Sequence, residues 1–182
     1  MLKKLFYFIT LTLISFNSFA SHFTLVSSDL VSGKQMNVTQ VFNQNGCDGK
    51  NISPQLSWEN IPIGTNSFAI TMYDPDASSG KGWWHWIVFN IPISVTHLDE
   101  DAGNSQLAKL PVNAIQSKNS FNTAGYGGPC PPLGDKPHRY IVTVYALKNT
   151  LPLNSTSSAA LVNASIQKNT IESAAIIAMY HR

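Results

Sequence analysis

Three runs of β-branched and aromatic residues, each cut short by a proline, constrain this chain more than anything else in it. Ser67–Tyr73 (SFAITMY) stops at Asp74-Pro75, Trp84–Ile91 (WHWIVFNI) stops at Pro92, and His138–Leu147 (HRYIVTVYAL) begins directly after Pro137. Proline donates no ladder hydrogen bond and fixes its own φ, so it delimits strands rather than interrupting helices at these points. Shorter strand-like stretches lie at Phe23–Val26, Met36–Phe42, Gln55–Trp58 and near Ile176–Tyr180. The segments between them are rich in Gly, Pro, Asn and Asp, as turns require. One amphipathic helix is expected from Ser157 to Lys168, opened by a serine cap and carrying Ala160, Leu161, Ala164 and Ile166. The pattern predicts a mainly β fold, a sandwich of antiparallel sheets with a short late helix.

The N-terminus reads as an address rather than as part of that fold. Lys3 and Lys4 precede an apolar stretch from Leu5 to Phe16, and Ser18-Phe19-Ala20 places small residues at the positions a signal peptidase reads. The stretch is shorter than the roughly 20 residues a membrane span needs. A signal peptide over 1–20, cleaved after Ala20, and a single domain over 21–182 are therefore expected, in the periplasm or secreted. No transmembrane segment is expected after cleavage. Of 12 basic and 10 acidic residues in the whole chain, Lys3 and Lys4 leave with the signal, so the mature chain is formally neutral. Without clustered Lys and Arg, nucleic acid is not an expected partner.

Two cysteines, Cys47 and Cys130, remain in a chain bound for an oxidising compartment. An even pair there reads as a disulfide, with two buried thiols as the alternative. Neither cysteine has zinc-site spacing, and no metal or cofactor is expected.

Chemistry concentrates where strands end. Asp74 and Asp76 flank Pro75, which biases Asp74 to an extended conformation and holds both carboxylates. Simple alternation puts His85 on a face with Ile87 and Phe89, and Trp84 with Trp86 and Val88 on the other. His138 and Tyr140 share a face with Val142 and Val144, with Arg139 opposite. The loop 127–134 (GGPCPPLG) is stiffened by proline, and free N–H groups at Gly127, Gly128 and Cys130 would meet an anion's oxygens. Each feature alone has a structural explanation: a turn, a hydrogen-bonded histidine, core tryptophans, an ion pair from Arg139 to one of the aspartates. Only their convergence in space would make a site. No G-x-S-x-G elbow occurs, and the Ser-Ser-Gly-Lys-Gly stretch lacks the first glycine and the hydroxyl of a P-loop.

Taken together and in order, DPDAS, GWWHWIVFNIP and GGPCPPLGDKPHRY resemble the phosphatidylethanolamine-binding protein family, in its bacterial Raf-kinase-inhibitor-like branch. CDGKNISPQLSW and IPIGTNSFAITMYDPDA fit the same branch, so the resemblance spans residues 21–182. It implies a sandwich of two antiparallel sheets with a small anion pocket at one end. By position the pocket takes Asp74 and Asp76, His85, the Cys130-Pro131-Pro132 loop, His138 and Tyr140, with Trp84 as a wall and Gly128 as a backbone donor. In that reading Asp74 accepts a hydrogen bond from a pocket histidine and favours its cationic form. The imidazolium, Tyr140 and backbone N–H groups then hold a small phosphate-bearing or other anionic ligand, and a remaining carboxylate suits the ammonium of a phosphoethanolamine-type head group. The family usually has proline where this chain has Ser78. Competing roles are a protein-interaction or inhibitor module, acting on a protease or a host partner, and a phosphoester-acting enzyme; a homodimer is a further candidate assembly. The enzyme is disfavoured because no activated nucleophile accompanies the His and Asp residues.

Overall fold

A computed structural model describes residues 22–182; the expected signal peptide lies outside the described residues. In chain order the elements are β1 (Thr24–Val26), β2 (Leu56–Glu59), β3 (Ser67–Asp74), α1 (Ala77–Gly80), β4 (Trp83–Pro92), β5 (His97–Leu98), β6 (Ile115–Gln116), β7 (His138–Leu147), α2 (Ala159–Asn169) and β8 (Thr170–Tyr180). All strand pairs are antiparallel. They form a three-stranded sheet in the order β1-β2-β5 and a five-stranded sheet in the order β6-β4-β3-β7-β8. This is the sandwich the strand pattern predicts.

The core lies between the sheets. Leu25, Leu56, Trp58 and Leu98 of the small sheet pack against Phe68, Ile70, Met72, Trp86, Val88, Val142 and Val144 of the large one. The outer face of the large sheet carries a second cluster, where Ala69, Ile87, Phe89 and Leu147 meet Val162 and Ile166 of α2. With both faces covered, β3 is buried along nearly its whole length, which is why its sequence is a continuous apolar run rather than an alternation. Removing a fully buried aromatic such as Trp58 would cost about 3–5 kcal/mol.

Three expectations are corrected. Met36–Phe42 is not a strand: the N–H groups of Gln40 and Val41 donate to Asn37 and Val38 O, and Val41 O accepts from Asn51 N. Those residues spend their backbone groups in local turns and on the loop that follows. α2 starts at Ala159 with Ser158 as its cap, accepting from Leu161 N. β8 is longer than Ile176–Tyr180 because pairing with β7 carries the strand back to Thr170 through the alanine-rich Ser173–Ala175.

Candidate functional site

β4, β3 and β7 are neighbours in the large sheet, and antiparallel pairing brings the end of β3 beside the starts of the other two. Asp74 pairs with Trp83 across β3–β4, and Tyr73 pairs with Ile141 across β3–β7. Residues far apart in sequence therefore line one rim of the sandwich, in a cavity of about 480 Å³. Asp74, Asp76, His85, Cys130, Pro132, His138 and Tyr140 all line it.

A β-bulge aims His85 at this cavity. Met72 pairs with Trp86 but Tyr73 pairs with Trp84, leaving His85 as the extra residue. Simple alternation fails there, because a bulged residue and its successor project to the same side. Trp86 enters the inter-sheet core, and the His85 ring stands 5.2 Å from the Tyr140 ring and 5.6 Å from Phe121. Trp84 is turned to the outer face, where it packs against Tyr73 at 4.4 Å. The wall expected of Trp84 is supplied instead by Trp83.

Asp74 is the electrostatic centre of the rim and is 2% exposed. Its Oδ1 accepts from the N–H groups of Asp76 (2.8 Å) and Ala77 (3.1 Å), closing the turn after Pro75. Its Oδ2 lies 2.8 Å from Nδ1 of His138. On the ring's other side, Nε2 is 3.4 Å from Asp135 Oδ2, so the imidazole bridges two carboxylates. Burial, reinforced by the charge of Asp74, raises the Tyr140 hydroxyl above its ordinary range and keeps it a donor.

The two histidines differ in kind. His85 Nδ1–H donates to Gly127 O at 2.6 Å, and burial lowers the ring to about 4. At neutral pH His85 is therefore an uncharged ring whose Nε2 is an acceptor. The histidine that touches carboxylates is His138.

Asp76 is not a spare carboxylate. Arg139 grips it through Nη2 (2.7 Å) and Nε (2.9 Å), with its backbone N–H adding a third bond at 2.9 Å. That grip lowers Asp76 to about 2. The more exposed carboxylate at the cavity is Asp135, 48% exposed and touched by His138 Nε2 alone, which sequence reading missed; its place three residues before His138 in a proline-bounded loop was the available signal. Gly127 and Gly128 do not offer their N–H groups either. They donate to His85 O (2.9 Å) and Asn51 Oδ1 (2.8 Å). Gly128 lies outside the cavity lining, and its hydrogen faces a backbone wall: a Cβ there would sit 2.1 Å from Gln40 O. With Pro131 and Pro132 lacking N–H, Cys130 is the loop's remaining backbone donor at the cavity.

Cys130 is bonded to Cys47, as the even pair suggests. The disulfide ties the cavity wall to the loop carrying Cys47. Ser78, also on the lining, has φ +52. Proline's φ near −65° is incompatible with that backbone, so serine at this position goes with a different turn.

A family model, phosphatidylethanolamine-binding protein, matches residues 26–181. The UPF0098 protein YbcL of Escherichia coli is 47% identical over 98% of both chains. YbhB of the same organism is 42% identical over 86% of this chain and 98% of its own. The crystal structure of Escherichia coli YbcL, described as a member of the mammalian PEBP family, superposes with a TM-score of 0.87 at 48% identity, covering 89% of this chain and 99% of that one.

Proposed function

The chain belongs to the phosphatidylethanolamine-binding protein family, and on that premise we propose that it is an exported binding protein whose rim cavity holds a small ligand bearing a phosphate or similar anion. One observation carries this reading: donors and acceptors from β4, β7 and the loop before β7 line the same cavity. The Tyr140 hydroxyl and the Cys130 N–H are donors for anionic oxygens, and His138 Nε2 joins them when the half-exposed Asp135 turns from it to the ligand. His85 Nε2 and Asp135 are acceptors, suited to an ammonium or hydroxyl on the same ligand. A phosphoethanolamine-type head group satisfies both sets. Export is supported by the basic-then-apolar N-terminal sequence and fits a disulfide-bonded domain. Among the described residues, no helix is long and apolar enough to cross a membrane.

Calorimetric titration with sulfate and with glycerophosphoethanolamine tests this reading. Both ligands should bind, and His138→Ala and Tyr140→Phe should weaken both. The phosphodiester should bind more tightly, and Asp135→Asn should remove that advantage while sparing sulfate. Absence of binding by either ligand, or variants indistinguishable from the parent, would overturn the reading.

A further inference from the structure

A second cleft, of about 770 Å³, opens beside the first, and Phe121 lines both. Its walls are the loops 42–52, 101–106 and 121–126. Exposed side chains of Asn43, Gln44, Asn45, Ser105 and Gln106 line it, and none has a hydrogen-bond partner within the described residues. Each carboxamide presents a donor and an acceptor side by side, which matches the paired demands of adjacent hydroxyl groups. Charge is sparse: Lys50 contributes one cation, and the carboxylate of Asp101 is already paired with Lys109 at 3.3 Å.

The walls are fixed before any ligand arrives. Asn51 donates from Nδ2 to Tyr126 O (3.3 Å) and accepts at Oδ1 from Gly128 N (2.8 Å), joining the first loop to the third. Tyr126 N donates to Gly103 O at 2.9 Å, joining the third to the second. Gly125 allows the close approach, since a Cβ there would lie 2.7 Å from Gly103 O. The Cys47–Cys130 bond anchors the first loop from behind. Such preorganisation lowers the ordering cost of binding.

From this geometry we propose that the cleft is a saccharide site, taking a neutral, polyhydroxylated ligand whose hydroxyls meet the free carboxamides. A peptide fits less well. No residue of the lining belongs to strands β1–β8, so there is no ladder edge for an added strand. An anion fits less well because one lysine is the cleft's sole unpaired charge.

This inference does not rest on the anion reading, and the test separates the two. Maltotriose, cellotriose and chitotriose are titrated into isotopically labelled protein, following backbone amide resonances. At least one should bind with a dissociation constant near or below about 1 mM, the weak end of specific recognition, and should shift resonances of the three loops. The combined change Asn43→Ala, Gln44→Ala and Gln106→Ala, all at exposed positions, should weaken that binding at least tenfold. His138→Ala should leave it unchanged. Failure of all three sugars to bind at 20-fold that concentration would overturn the proposal. So would binding that survives the triple change, or that is lost with His138→Ala, because either result places the sugar elsewhere.

Discussion

Asp74 Oδ2 and His138 Nδ1 stand 2.8 Å apart with both side chains buried, so each residue is the other's polar partner inside the protein. Removing one partner of a buried pair strands the other and costs about 3–5 kcal/mol. His138→Ala removes the partner of Asp74 Oδ2 and leaves the backbone donors of the turn on Oδ1, and a loss of about 3 kcal/mol is expected. Asp74→Asn keeps the Oδ1 acceptor and therefore the turn, but loses the charge. The double variant should be more stable than the sum of single losses allows. Urea unfolding of the four proteins measures this coupling, and strict additivity would show that the pair is not an ion pair.

His85 makes the fold sensitive to acid. Burial lowers its ring to about 4, against about 6.5 in an unfolded chain. Between those values the unfolded state binds more protons, so stability rises with pH through this window. The contribution is complete above about 6.5 and is lost as pH falls towards 4, amounting to roughly 3 kcal/mol. Unfolding midpoints at pH 7 and pH 4.5 should differ accordingly, and His85→Asn should flatten the difference. An equal slope in parent and variant would show that other groups carry the acid lability.

Neighbouring tryptophans should behave oppositely. Trp83 lines the rim cavity, so Trp83→Ala should weaken sulfate binding severalfold. Trp84, on the outer face against Tyr73, should leave binding unchanged when replaced by alanine while lowering stability by about 2 kcal/mol. Calorimetry and urea unfolding on the two variants check both halves. The reverse assignment would mean that the bulge at His85 is absent in solution.

That bulge marks where sequence reading stops. The long strands and the clustering of polar residues at their ends were legible, because proline boundaries and β-branched runs are local signals. Which face His85 takes was not, since an inserted residue cancels the period of two and leaves no trace in composition. The exchange of Trp84 for Trp83 follows from the same insertion. Met36–Phe42 misled because its apolar and β-branched residues serve a turn-rich wall anchored by distant residues such as Asn51. The occupied N–H groups of Gly127 and Gly128 are likewise long-range facts. Asp74 with His138, by contrast, follows from a carboxylate and a histidine at the ends of two strands that prove adjacent.

The disulfide should couple stability to the shape of the rim. Cys47 and Cys130 are 83 positions apart, and closing a loop of that length stabilises by about 4 kcal/mol on the chain-entropy model. Arg182 spans the same two loops: its Nε donates to Pro131 O and its Nη1 to Gly46 O. The covalent link and the arginine clamp therefore hold one wall in place by two routes. Replacing both cysteines by serine should lower stability by up to about 4 kcal/mol and weaken sulfate binding, because the Cys130 N–H loses its fixed position. Arg182→Ala alone should do little to binding while the disulfide persists. In the serine background the same change should weaken binding further, since the clamp is then the remaining tie. Four proteins, titrated with sulfate and unfolded in urea, give both couplings. If Arg182→Ala has the same small effect on sulfate affinity in both backgrounds, the two ties act independently and the wall is held by its own prolines.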